Sequence, residues 1–137
     1  MDTNIFLWYI AGDMKLPDNH IKIIDNLEND TWLSAASLWE IAIKVAKSTL
    51  DIDGDLESFF KINVLDAEIS VLQIELYHLV YLHRLPFLHR DPFDRLIFAQ
   101  SMIEKLTFLY TDKMFDKYLD TRCATFHESF IFSRLNN

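Results

Sequence analysis

Four acidic residues, Asp2, Glu40, Asp94 and Asp112, stand where carboxylates can do chemistry, just after apolar runs or near the starts of helical patterns. Hydrolysing a phosphodiester takes charge stabilisation at the phosphate and an activated water, and one or two divalent cations supply both. Hard cations such as Mg²⁺ or Mn²⁺ take oxygen ligands, so Asp and Glu are the fitting holders rather than Cys or clustered His. Gathered without a cation, such groups repel one another. Two unit charges about 4 Å apart interact by about 4 kcal/mol at an effective dielectric of about 20. Each residue also has a structural reading. Asp94 and its neighbour Asp91 fit helix capping. Glu40 can pair with Lys44 one turn on, worth about 0.2–0.5 kcal/mol. Asp112 can cap a helix containing Phe115, and Asp2 can be a solvated charge at the terminus.

The elements that must position these groups follow from the apolar periodicity. Thr31 to Ser34 is a short β-favouring run, and Ser37 to Lys47 switches to helical spacing with Leu38, Ile41, Ala42 and Val45 on one face. A helix is predicted to begin near Asp55, and Ile69 to Ile74 reads as a second buried strand. Glu75 to Arg84 reads as helical. Asp91-Pro92-Phe93-Asp94 is a helix start, with Asp91 as N-cap, Pro92 at the first helical position and Asp94 at the capping-box position. That helix is predicted to run to about Lys105. Leu106 to Tyr110 reads as a strand, Asp112 to Leu119 as a short helix and Ala124 to His127 as a last strand. Strands recurring with helices between them predict α/β layers around a mainly parallel sheet, and such sheets bind ligands beyond the carboxyl ends of their strands. The four acids are expected to converge there.

Composition bounds the function classes. The 137 residues are half hydrophobic, with two glycines, three prolines and no linker-like stretch, which predicts one domain. The apolar runs break before the roughly 18 residues of a membrane span, so no membrane partner and a cytoplasmic location are expected. One cysteine, Cys123, makes no internal disulfide and reads as a small buried hydrophobe. The formal charge of −8 argues against non-specific coating of nucleic acid. It leaves room for a nuclease, because a carboxylate cluster is itself negative until a cation neutralises it.

Four segments, in order, resemble the VapC branch of the PIN-domain family. They are Met1-Asp2-Thr3-Asn4-Ile5-Phe6-Leu7-Trp8, Ser34-Ala35-Ala36-Ser37-Leu38-Trp39-Glu40-Ile41-Ala42-Ile43-Lys44, His89-Arg90-Asp91-Pro92-Phe93-Asp94-Arg95-Leu96-Ile97-Phe98-Ala99-Gln100 and Leu106-Thr107-Phe108-Leu109-Tyr110-Thr111-Asp112-Lys113-Met114-Phe115. The resemblance implies a three-layer α/β/α PIN-like fold over residues 1–137 and a Mg²⁺- or Mn²⁺-dependent endoribonuclease toxin of a type II toxin–antitoxin system. It also implies a VapB-type antitoxin, a homodimer, and tRNA or ribosomal RNA as the substrate class. Asp2, Glu40, Asp94 and Asp112 carry over as the catalytic, metal-holding acids. Asp91 either assists through water or only caps the helix. Asn4 matches a position that orients a ligand or water, and reads equally as helix-start chemistry. Lys44, Arg90, Arg95 and Lys113 are the basic residues expected near the RNA backbone. Trp8, Trp39, Phe93 and Phe115 read as core or dimer contacts, and neither His78 nor His89 is assigned to catalysis.

The chain departs from the family pattern in three places. Only Met1 precedes Asp2, so the first strand is expected to be shortened, either because the chain begins late or because part of that platform is missing. The cationic form of the α-amino group would compete with a metal for Asp2. Tyr110 stands where a small Thr or Ser is usual and is expected to crowd the site. Residues 120–137 match poorly, with Phe130-Ile131-Phe132 either an interaction tail or a loosely constrained end. The alternative function is a catalytically impaired PIN protein that acts by binding antitoxin or RNA.

Overall fold

In a computed structural model that describes residues 1–119, contacts divide the chain into two units, Met1–Gln73 and a second beginning at Ile74. The first unit opens on a helix. Asp2 has extended backbone and accepts the Ile5 N–H at 2.7 Å, capping α1 (Thr3–Ala11). Gly12, at φ 61°, closes α1 in the left-handed conformation that a residue without Cβ adopts at no cost. The expected remnant of a first strand is therefore absent among the described residues, and Asp2 is held by capping instead. A second helix that the sequence did not signal, α2 (Asp18–Ile24), follows.

Strand β1 (Trp32–Ser34) runs directly into α3 (Ala35–Ala46), with the Ser34 hydroxyl accepting the Ala36 N–H as N-cap. Asp55 caps α4 (Leu56–Phe60) as the sequence predicts, and a π-turn (Lys61–Leu65) delivers the chain to β2 (Ser70–Leu72). The strands pair in parallel, Trp32 with Ser70, Leu33 with Val71 and Ser34 with Leu72. Parallel partners cannot be joined by a tight hairpin, so the helical stretch between them is the crossover. Phe6, Leu33, Ile41, Phe59, Val64 and Ile69 form this unit's core.

The second unit is built on α5 (Leu76–Arg84) and α6 (Pro92–Glu104), followed by a 3-10 turn (Lys113–Phe115) and α7 (Asp116–Leu119). Asp91 accepts the amides of Phe93 at 2.8 Å and Asp94 at 3.1 Å, as the N-cap reading requires. Tyr81, Leu85, Phe98, Ile103, Phe115 and Tyr118 form its core. Leu106 to Tyr110, predicted as a strand, has no ladder partner among the described residues. Its aromatics pack as a cluster instead, Phe108 and Tyr110 both lying 4.9–5.3 Å from the Phe115 ring. The reading of a last strand at Ala124 to His127, and those of Cys123 and the 120–137 end, lie outside the described residues. The described residues thus form a mixed α/β fold with a parallel sheet.

Candidate functional site

The four carboxylates are placed in pairs, one pair in each unit. In the first unit Asp2 and Glu40 are both buried. Thr3, the first residue of α1, donates its hydroxyl to Glu40 Oε2, with the Ser37 hydroxyl 3.1 Å away, so α1 and α3 are joined by a buried polar contact. Glu40 Oε1 pairs with Lys44 Nζ at 2.7 Å, one turn along α3. The structural reading of Glu40 thus holds, and Lys44 is a neutralising partner of an acidic residue. Burial lowers the Met1 α-amino group to a pKa of about 6, against the opposing effect of Asp2. The amino group donates to the Trp32 carbonyl at 3.2 Å. Asn4 is exposed on the first turn of α1.

In the second unit Asp94 sits on the first turn of α6, and Asp112 caps the 3-10 turn by accepting the Met114 N–H at 2.8 Å. That backbone hydrogen bond first, and the His89 side chain after it, hold the Asp112 carboxyl below the usual aspartate range. His89 Nε2 lies 3.0 Å from Asp112 Oδ2 and 3.5 Å from Asp94 Oδ2. One ligand-type atom from each of His89, Asp94 and Asp112 falls within 4.8 Å of the others. Asp94 and Asp112 would be the residues to hold a hard divalent cation, which takes oxygen ligands. Asp91 Oδ1 accepts the α6 amides of Phe93 and Asp94.

The basic residues divide. Arg90 and Lys113 are exposed, as a backbone-binding rim requires, but Arg95 is only 6% exposed. Its guanidinium donates to the carbonyls of Pro86 at 2.9 Å and of Leu82 and Leu85 at 3.3 Å, and to the Tyr118 hydroxyl at 2.9 Å. It also lies over the Phe87 ring. Five fixed donors suit it to collecting the carbonyls left over at the end of α5, which corrects the expectation that Arg95 faces RNA. Tyr110 turns its hydroxyl to Asp116 at 2.7 Å and packs on Phe108 and Phe115. Phe115 is core as read, Trp8 and Phe93 are half-buried, and Trp39 is 60% exposed. The residue the sequence reading left without a role is His89. Its signal was its place two residues before the Asp91 cap, but its partner Asp112 lies 23 residues away.

The PIN domain family model matches residues 1–119. Searches of curated proteins and of solved structures gave no match. PIN domains are generally metal-dependent nucleases, and the carboxylates described above are of the kind that such chemistry uses. No helix among the described residues is long and apolar enough to cross a membrane. With the match covering 119 of its 137 residues, the chain belongs to the PIN domain family.

Proposed function

We propose that this protein is a metal-dependent endoribonuclease toxin of a VapBC-type system, with Asp2, Glu40, Asp94 and Asp112 as the acids of the reaction. The observation that carries the reading is the approach of Asp94 and Asp112 to one imidazole nitrogen, with one ligand-type atom from each of the three residues within 4.8 Å of the others. When bound, Mg²⁺ or Mn²⁺ supplies charge neutralisation at the phosphate and an activated water. The chain's own residues do the rest. The α6 N-terminus, capped by Asp91, fixes Asp94, and the 3-10 turn fixes Asp112. Thr3 holds Glu40, and Asp2 is fixed by the Ile5 amide it caps. Arg90 and Lys113 meet the RNA backbone, Asn4 orients a ligand or water, and Lys44 shifts between Glu40 and phosphate.

The matched family runs unbroken through both units, which supports a single PIN domain. A VapB-type antitoxin and a second copy of the chain are the proposed partners. Leu76, Leu79 and Val80 form an exposed apolar stripe on α5, a feature that marks protein contacts. The proposed substrate class is tRNA or ribosomal RNA, and the proposed location is the cytoplasm. The second reading, an impaired PIN protein that binds antitoxin or RNA, is favoured by one observation: Glu40 is already neutralised by Lys44.

Purified protein incubated with total RNA in Mg²⁺ or Mn²⁺, with EDTA and Asp94→Asn as controls, tests this. Cleavage lost in both controls supports the nuclease. Cleavage that survives both removes these residues from the reaction, and no cleavage alongside tight antitoxin binding favours the second reading.

A further inference from the structure

His89 is held on several sides. Its backbone N–H donates to the Tyr118 hydroxyl at 3.0 Å, and that hydroxyl is itself fixed by Arg95. Its ring stacks on buried Phe115, with centroids 4.9 Å apart and planes 21° from parallel. The backbone N–H of Asp91 donates to His89 Nδ1 at 3.1 Å. An amide cannot donate to a ring nitrogen that carries a hydrogen. Nδ1 is therefore the bare nitrogen, and Nε2 bears the N–H. That N–H faces Asp112 Oδ2 at 3.0 Å and Asp94 Oδ2 at 3.5 Å.

We infer that His89 is a positioning residue: its Nε2–H bridges Asp94 and Asp112 and sets their spacing for a divalent cation, while His89 itself is not a ligand. The inference rests on the proposed reading of those two aspartates as metal holders. For Nε2 to bind a metal, its hydrogen would have to move to Nδ1. There it would point at the Asp91 N–H and break the contact that ties the ring to the cap of α6. The same ring thus links the helix start carrying Asp94 to the turn carrying Asp112. Donors of this kind, acting through a metal-holding carboxylate, change metal affinity by about 10–100-fold when removed.

Two measurements on the full chain test this. In long-range ¹H–¹⁵N spectra of histidine-labelled protein, with the His89 signals identified by their loss in His89→Gln, the expected pattern is a protonated Nε2 and a bare Nδ1, unchanged on adding Mg²⁺. A protonated Nδ1, or an Nε2 that loses its hydrogen to Mg²⁺, overturns the inference. In Mn²⁺ titrations followed by electron paramagnetic resonance, His89→Ala is expected to bind about 10–100-fold more weakly. His89→Gln, whose carboxamide N–H can replace Nε2–H, is expected to recover most of that loss. Gln binding no better than Ala, in variants with unchanged circular dichroism, overturns it. A protein that shows this tautomer and these affinities yet cuts no RNA sinks the nuclease reading and leaves the role of His89 standing.

Discussion

The two units handle their acids differently. In the first, Glu40 is met by a cation, Lys44, and by the Thr3 hydroxyl, so its charge is balanced within one helix and its neighbour. In the second, Asp94 and Asp112 are drawn toward one donor, and the histidine that does this has one ring nitrogen occupied by a backbone amide. A ring N–H orients a carboxylate through a hydrogen bond, whereas the lysine ammonium pairs with its charge. The first arrangement offers a carboxylate that must be released from its lysine before it can meet an added cation.

The largest effect that would break this contrast is catalytic. Asp94→Asn keeps the shape of the side chain and removes its charge, and RNA cleavage is expected to fall roughly a hundredfold or more, by analogy with loss of one preorganised charge-stabilising group. An equal loss in Glu40→Gln would show that both pairs matter alike. Next comes stability of the second unit. Arg95→Met strips the partners from buried carbonyls at the end of α5, and a loss of about 2–3 kcal/mol is expected in urea unfolding. A change under about 0.5 kcal/mol would show that water replaces the guanidinium there.

A smaller effect is pH-dependent. The folded Asp112 carboxyl sits below its ordinary value of 3.8, so at acid pH the native state binds fewer protons than the unfolded chain. Its contribution is present above pH 3.8 and is lost as pH falls through the folded value. Asp112→Asn should flatten that limb of a urea-midpoint profile below about pH 4, and an unchanged limb would assign it to other carboxylates. Smallest is Lys44→Gln. The lysine is partly exposed and its pair with Glu40 lies on one helix face, so stability should change by no more than about 0.5 kcal/mol. Metal titration of the same variant sharpens the contrast, because release of Glu40 is expected to lower the Mn²⁺ concentration needed for binding. An unchanged or higher requirement would show that Lys44 does not compete.

Much of the frame was legible along the chain because it rests on local rules. The Asp91 cap, the helix start near Asp55, the Pro92 helix start, β1, β2 and the long amphipathic face of α3 each depend on residues a few positions apart. The run from Leu106 to Tyr110 was misread for the opposite reason. Its residues favour extended structure, but a strand exists only with a partner, and its aromatics found Phe115 and Phe98 instead. Helix α2 gave no signal because it buries no residue, which leaves no apolar stripe to read.

By itself, then, the sequence determined which acids belong to recognisable motifs and which helix starts carry Asp94 and Asp112. Tertiary structure decided what those groups touch. Arg95 became an internal clasp for α5 rather than a surface cation, and His89 became the donor between two aspartates. The physical reason is range. A cap satisfies amides two or three residues away, whereas a buried side chain takes its partners from whatever packing brings near, here from positions up to 37 residues distant in the chain.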